Sequence, residues 1–86
     1  MGRPYHIWLH RAAYEYLESL GLAERQTLFV WLERIGSHPD RSGDFVEKAE
    51  DGRDWQVAIL GLHAVVWWVD GPVREIKIVA IRAADA

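Results

Sequence analysis

Residues 55–70 read Trp55-Gln56-Val57-Ala58-Ile59-Leu60-Gly61-Leu62-His63-Ala64-Val65-Val66-Trp67-Trp68-Val69-Asp70, and this run decides how the chain folds. It belongs to two β-strands, 53–60 and 63–70, joined by a tight turn at Gly61-Leu62. Successive side chains of a strand point to opposite faces. In the first strand Trp55, Val57 and Ile59 share one face, with Gln56, Ala58 and Leu60 on the other. In the second, His63, Val65, Trp67 and Val69 oppose Ala64, Val66, Trp68 and Asp70. Antiparallel strands with one wet face alternate apolar with polar. Here both faces are apolar.

Upstream, Asp51-Gly52 signals a hairpin turn, and 44–49 is a weak strand before it. Residues 37–43 form a polar loop. Before the loop the hydrophobic period is helical. Leu28, Leu32 and Ile35 make the stripe of a helix over 23–35, with Phe29 and Trp31 beside it and Glu24 favouring its N-terminal end. Gly36 and Pro39 are the expected stop. Ala13, Tyr16, Leu17 and Leu20 make the stripe of a helix over 11–20, with Gly21 as a C-cap taking positive φ. The short link implies an antiparallel helical hairpin. Residues 5–9 are a first strand, with Tyr5, Ile7 and Leu9 on one face and His6, Trp8 and His10 on the other. Downstream, Gly71-Pro72 breaks the chain, 73–82 is the last strand, and 83–86 is a frayed tail. The fold class is α+β, in the order β-α-α-β-β-β-β, with a helical hairpin on one face of a mostly antiparallel sheet.

One layer of two helices covers one sheet face. The second face leaves Trp55, Val57, Ile59, Ala64, Val66 and Trp68 for another contact. A partner helix or a second copy of the chain, as a homodimer, accounts for these six residues. The competing account is a loop or the C-terminal tail folded over them, and the residues after Arg82 are few for that purpose.

The 86 residues suit one domain spanning 1–86. A domain this size buries only about 60–65% of its unfolded surface. Half the residues are hydrophobic and five are Trp, which offsets the thin margin. With no Cys, the chain has no disulfide, thiolate nucleophile or Cys-based zinc site, and a cytoplasmic setting is the simplest expectation. The N-terminus lacks an apolar signal core, and the longest uncharged stretch, 55–69, is shorter than a membrane span. No cofactor motif stands out, and His6 and His10 fall across a strand-to-helix junction without metal-ligand spacing. A net charge of −3 argues against strong direct nucleic-acid binding. Arg41, Lys48, Arg53, Arg74, Lys77 and Arg82 interleave with Asp44, Glu47, Glu50, Asp51, Asp54 and Glu75, the pattern of a solvated, salt-bridged surface.

The order of elements and several local motifs resemble the RelE/ParE superfamily of type II toxin–antitoxin toxins. The likeness begins at the first strand and Arg11-Ala12-Ala13. It continues through Leu32-Glu33-Arg34-Ile35 and His38-Pro39 to the block around Gly61, which ends in Val69-Asp70. Glu75-Ile76-Lys77-Ile78-Val79-Ala80-Ile81-Arg82 resembles the family's closing strand. The resemblance implies a small toxin of the bacterial stress response, held inactive by a cognate antitoxin protein. The target it implies is messenger RNA on the ribosome for RelE-like members, or DNA gyrase for ParE-like ones.

RNA-cleaving members place an Arg in the strand after the central Gly, and Lys or Arg on the same face of the strand before it. The matching positions here are Ala64 and, one strand earlier, Val57 and Ile59. Apolar groups cannot hold a phosphate or stabilise the charge that builds on it. Arg82 is the one basic residue carried over from the family. His63, at a strand start beside the turn, has the unperturbed pKa of a general base and is the other candidate catalytic residue. The expectation is a toxin acting by protein binding. The alternatives are a residual ribosome-dependent endonuclease using Arg82 and His63, and a degenerate, non-toxic homodimer.

Overall fold

The structure is a computed structural model that describes residues 4–85. Met1, Gly2, Arg3 and Ala86 lie outside them, and with them part of the N-terminal reading and the end of the expected tail. The elements are β1 (His6–Leu9), α1 (Arg11–Glu18), α2 (Leu22–Ser37), β2 (Phe45–Lys48), β3 (Asp54–Leu60), β4 (His63–Asp70) and β5 (Glu75–Ala83). They form one sheet in the order β1-β5-β4-β3-β2. The ladders β2–β3, β3–β4 and β4–β5 are antiparallel, and β1 pairs with β5 in parallel. The fold is α+β in the expected order, with both helices on one face of a mixed five-stranded sheet.

The helical stripes meet that face. Ala13 and Leu17 of α1 and Leu28, Leu32 and Ile35 of α2 are at most 1% exposed. They pack on Ala58, Val65, Trp67, Ile76, Ile78 and Ile81, with Tyr16, Leu20 and Trp31 at the margin. Each fully buried Leu or Ile contributes roughly 1.5–3 kcal/mol from removal of apolar surface from water. Trp31 meets Trp67 edge-on, with centroids 5.7 Å apart and planes at 80°. The Trp67 indole N–H is buried without an acceptor among the described residues. That burial costs about 1–3 kcal/mol, so the ring's apolar area is what places Trp67 here.

Several boundaries differ from the sequence reading. Helix α1 ends at Glu18 with Ser19 as its C-cap, and Leu20 lies beyond it. Arg25 of α2 reaches back to donate to the carbonyls of Leu17, at 3.2 Å, and Leu20, at 3.1 Å. It satisfies groups that a helix end leaves open. Gly21 is the N-cap of α2 at φ −63°, not a C-cap with positive φ. Gly36 does not stop α2. It lies inside the helix, where a Cβ would come within 2.8 Å of the Tyr5 carbonyl oxygen. Glycine is needed there because β1 crosses close to the helix. The Tyr5 N–H donates to the Gly36 carbonyl at 2.8 Å, and β1 begins one residue later than expected, at His6. The last strand starts at Glu75, since Val73 and Arg74 belong to the turn and Arg74 takes φ 55°. At Ala83 and Ala84 the expected tail is tied down rather than frayed. Ala83 is in β5, and the Ala84 N–H donates to the Leu62 carbonyl at 2.8 Å.

The two turns flanking β3 agree with their residues: Gly52 takes φ 84° and Gly61 φ 61°. The β4–β5 register shifts between Val66 and Trp67. Val66 pairs with Ala80 and Trp67 with Ile78, which leaves Val79 as the extra residue of a bulge.

Candidate functional site

Strand alternation and register put one set of side chains on the sheet face away from the helices. Trp55, Val57 and Ile59 come from β3, and Ala64, Val66 and Trp68 from β4. Phe45 and Glu47 come from β2, Lys77 and Arg82 from β5, and Trp8 from β1. The six residues expected to form a contact surface do share this face, but they are not equally available. Val57, Ala64 and Val66 form a second buried cluster, at most 3% exposed, flanked by Trp55, Val79 and Ala80. They are the floor of the face and not its surface. The groups that reach solvent are Ile59 at 44%, Phe45 at 47% and Trp8 at 43%, with half-buried Trp55 and Trp68. Phe45 and Trp8 were absent from the expected surface. Trp8 joins it because β1 lies beside β5, a pairing no local motif announces.

The floor is covered by the chain's own charges. Arg82 on β5 donates to the Glu47 carboxylate on β2 at 2.6 Å. Strands β4 and β3 lie between, so the pair spans three inter-strand steps, about 14 Å at 4.8 Å each. Arg82 stands opposite Ala64, and Glu47 opposite Trp55. The line joining them therefore crosses the Val66–Val57 pair. Arg82, the basic residue expected to serve a phosphate, is engaged by a carboxylate.

Three other cations are paired with nearby carboxylates. Lys48 pairs with Asp54, Arg53 with Asp51 at 3.8 Å, and Lys77 with Glu75 at 2.7 Å and Asp70 at 3.9 Å. Toward the β1 side of the face, Trp8, Trp55 and Trp68 line a hollow of about 320 Å³ with Arg53, Asp70 and Lys77. The Arg53 guanidinium lies 3.8 Å from the Trp68 ring centroid, and the Lys77 ammonium 4.7 Å from that of Trp8.

His63 and Arg82 do not converge. His63 pairs with Ala83 and Arg82 with Ala64, so their side chains leave the sheet on opposite faces. His63 is 9% exposed and lies under the helices. Its Nε2 is 2.7 Å from the Glu24 carboxylate of α2, and its Nδ1 is 2.7 Å from the Tyr16 hydroxyl of α1. A carboxylate only accepts, so Nε2–H donates to Glu24 and, in the neutral ring, Nδ1 accepts from Tyr16. Burial, then the carboxylates of Glu24 and Asp85, push the Tyr16 phenol above its ordinary range. This linkage fastens three elements together beside an apolar cavity of about 400 Å³ lined by Leu28, Leu60, Leu62 and Thr27. Both ring nitrogens are already engaged, which leaves neither free to take a substrate proton.

Among the described residues, no cluster of three or more His, Asp or Glu is placed to hold a metal ion. Among them, no helix is long and apolar enough to cross a membrane.

No protein-family model and no curated protein matches the sequence. Solved structures do match in three dimensions. The toxin–antitoxin complex RelBE2 from Mycobacterium tuberculosis matches with a TM-score of 0.77 at 16% identity, covering 94% of this chain and 99% of that one. The archaeal RelE–RelB complex from Pyrococcus horikoshii OT3 matches at 0.75 and 19%, covering 94% and 96%. A variant of the E. coli toxin RelE in the free state matches at 0.75 and 16%, covering 96% and 86%. At these identities what is shared is the architecture: over nearly its whole length, this chain has the fold of the RelE toxins.

Proposed function

We propose that this chain is the toxin of a type II toxin–antitoxin pair and that it acts by binding protein, namely its cognate antitoxin and a cellular target such as DNA gyrase. The full-length match to RelE toxins supports the toxin role, and two of those structures hold the toxin with its antitoxin. The observation that carries the mode of action is the chemistry of the open sheet face. Its centre is Val57, Ile59, Ala64 and Val66, and the nearest cation, Arg82, is paired with Glu47. Among the described residues, a pentacoordinate phosphate at that centre meets only a cation already paired with a carboxylate, whereas stabilisation of such charge is usually the largest catalytic contribution.

The test is induction of the chain alone in bacteria, following amino-acid and thymidine incorporation together. Falling DNA synthesis with filamentous cells is the expected result. Rapid loss of amino-acid incorporation, with messenger RNA cut in purified ribosome assays, would overturn it in favour of the endonuclease reading. One observation favours that second reading: Arg82 remains 42% exposed, so an RNA phosphate can compete with Glu47 for it. Arg82→Ala then abolishes cleavage. Normal growth would assign the chain to a non-toxic role, with self-association as its next measurement.

A further inference from the structure

The Trp-lined hollow on the open face carries a chemistry of its own. Its lining holds two cations, Arg53 and Lys77, and one carboxylate, Asp70. Asp51 and Glu75, outside the lining, are the ion-pair partners of those two cations, and counted with them the cluster carries one negative charge in excess. Lys77 sits 2.7 Å from Glu75 but 3.9 Å from Asp70, so the Asp70 carboxylate has no close donor among the described residues. Its side chain is only 24% exposed, in a hollow walled by indoles. The rings already accept cations on Trp8 and Trp68. The Trp55 ring, lining the same hollow, has no cation or ring partner among the described residues. A half-enclosed π surface beside an under-donated carboxylate is the setting in which a guanidinium binds best. It stacks on the ring and donates in parallel to the carboxylate.

We propose that this hollow receives an arginine side chain from a partner polypeptide, stacked on Trp55 and paired with Asp70. The proposal rests on the protein-binding reading and gives that partner a chemistry: a segment with an exposed arginine, opposite in sign to the face it meets. A nucleic acid is the poorer occupant, because the two cations its phosphates would need are already paired with Asp51 and Glu75.

The five Trp residues give five indole N–H signals that can be followed by nuclear magnetic resonance. The full chain is titrated with N-acetyl-arginine amide, with its neutral citrulline counterpart and with a uridine oligonucleotide. The Trp8, Trp55 and Trp68 signals are expected to move with the arginine ligand and not with citrulline, while Trp31 and Trp67 stay still. Asp70→Asn weakens the response about tenfold, the loss of one charge-assisted contact. Trp55→Leu keeps the apolar cover but removes the ring and lowers the affinity, and Trp55→Phe restores part of it. Equal response to arginine and citrulline, no response, or a stronger response to the oligonucleotide would overturn the proposal. So would a dimer in sedimentation that Trp55→Leu dissolves, which would assign the hollow to a second copy. Growth inhibition is scored separately, so a harmless chain that still binds arginine sinks the toxin reading and leaves this one standing.

Discussion

The guanidinium of Arg82 and the carboxylate of Glu47 meet at 2.6 Å across the two strands that separate β5 from β2. Their side chains are 42% and 36% exposed, so solvent screens the pair. A double-mutant cycle with Arg82→Ala and Glu47→Ala, read by urea unfolding, is expected to give a coupling of about 0.2–1 kcal/mol that shrinks with added salt. A coupling several times larger would mean that the pair is a structural clamp. The pair's larger effect is on access: Glu47→Gln frees Arg82, and in the endonuclease reading it raises RNA cleavage.

Val57 and Ile59 share a face two residues apart, yet they should respond differently to the same substitution. Val57 is fully buried and Ile59 is 44% exposed. Val57→Lys places a charge in the floor and is expected to cost more than about 3 kcal/mol, a large share of the stability of a domain this small, read by urea melts. Ile59→Lys is expected to cost less than about 1 kcal/mol in the same urea melts. Similar losses at both positions would contradict the division into floor and surface.

His63 should behave as a fastener. His63→Ala breaks the links to Tyr16 and Glu24 and is expected to cost about 2–3 kcal/mol. Glu24→Gln should cost about 1 kcal/mol, since the Glu24 side chain is 57% exposed and the amide oxygen still accepts. Activity of His63→Ala, normalised to its folded fraction, stays at the parent level. A loss of activity without a loss of stability would place His63 in the chemistry after all.

Tyr16 sets a limit at high pH. Its folded pKa lies above the ordinary 10.0 because burial and nearby carboxylates disfavour the phenolate. The folded state therefore holds the proton more tightly than the unfolded chain. The stability this contributes is full below about pH 10 and is lost as pH rises through the raised value. Urea midpoints of the parent should fall more steeply through that window than those of Tyr16→Phe. Ultraviolet titration should show one late tyrosine fewer in the variant, with Tyr14, also raised by Glu18, still present.

The order of elements was legible in the sequence because each rule involved is local. The period of Leu28, Leu32 and Ile35 marks a helix, the β-branched and aromatic residues from Trp55 to Trp68 mark strands whose side chains alternate between faces, and Gly52 and Gly61 take the positive φ their turns require. The same alternation put the six residues on one face, but it did not show which of them reach its surface. What only the tertiary structure decided depends on which strands become neighbours. Placing β1 beside β5 brings Trp8 to Lys77 and lays β1 against Gly36, inside a helix that local signals would have ended there. Placing β4 and β3 between Arg82 and Glu47 turns two distant charges into a cover over Val57 and Val66. Separating His63 from Arg82 needs only their parity on paired strands, but assigning His63 to Tyr16 and Glu24 requires both helices in place. Side-chain direction is a property of a few bonds and can be read along the chain. Burial and charge pairing are set by residues tens of positions away, and they exist only once the sheet has closed its order.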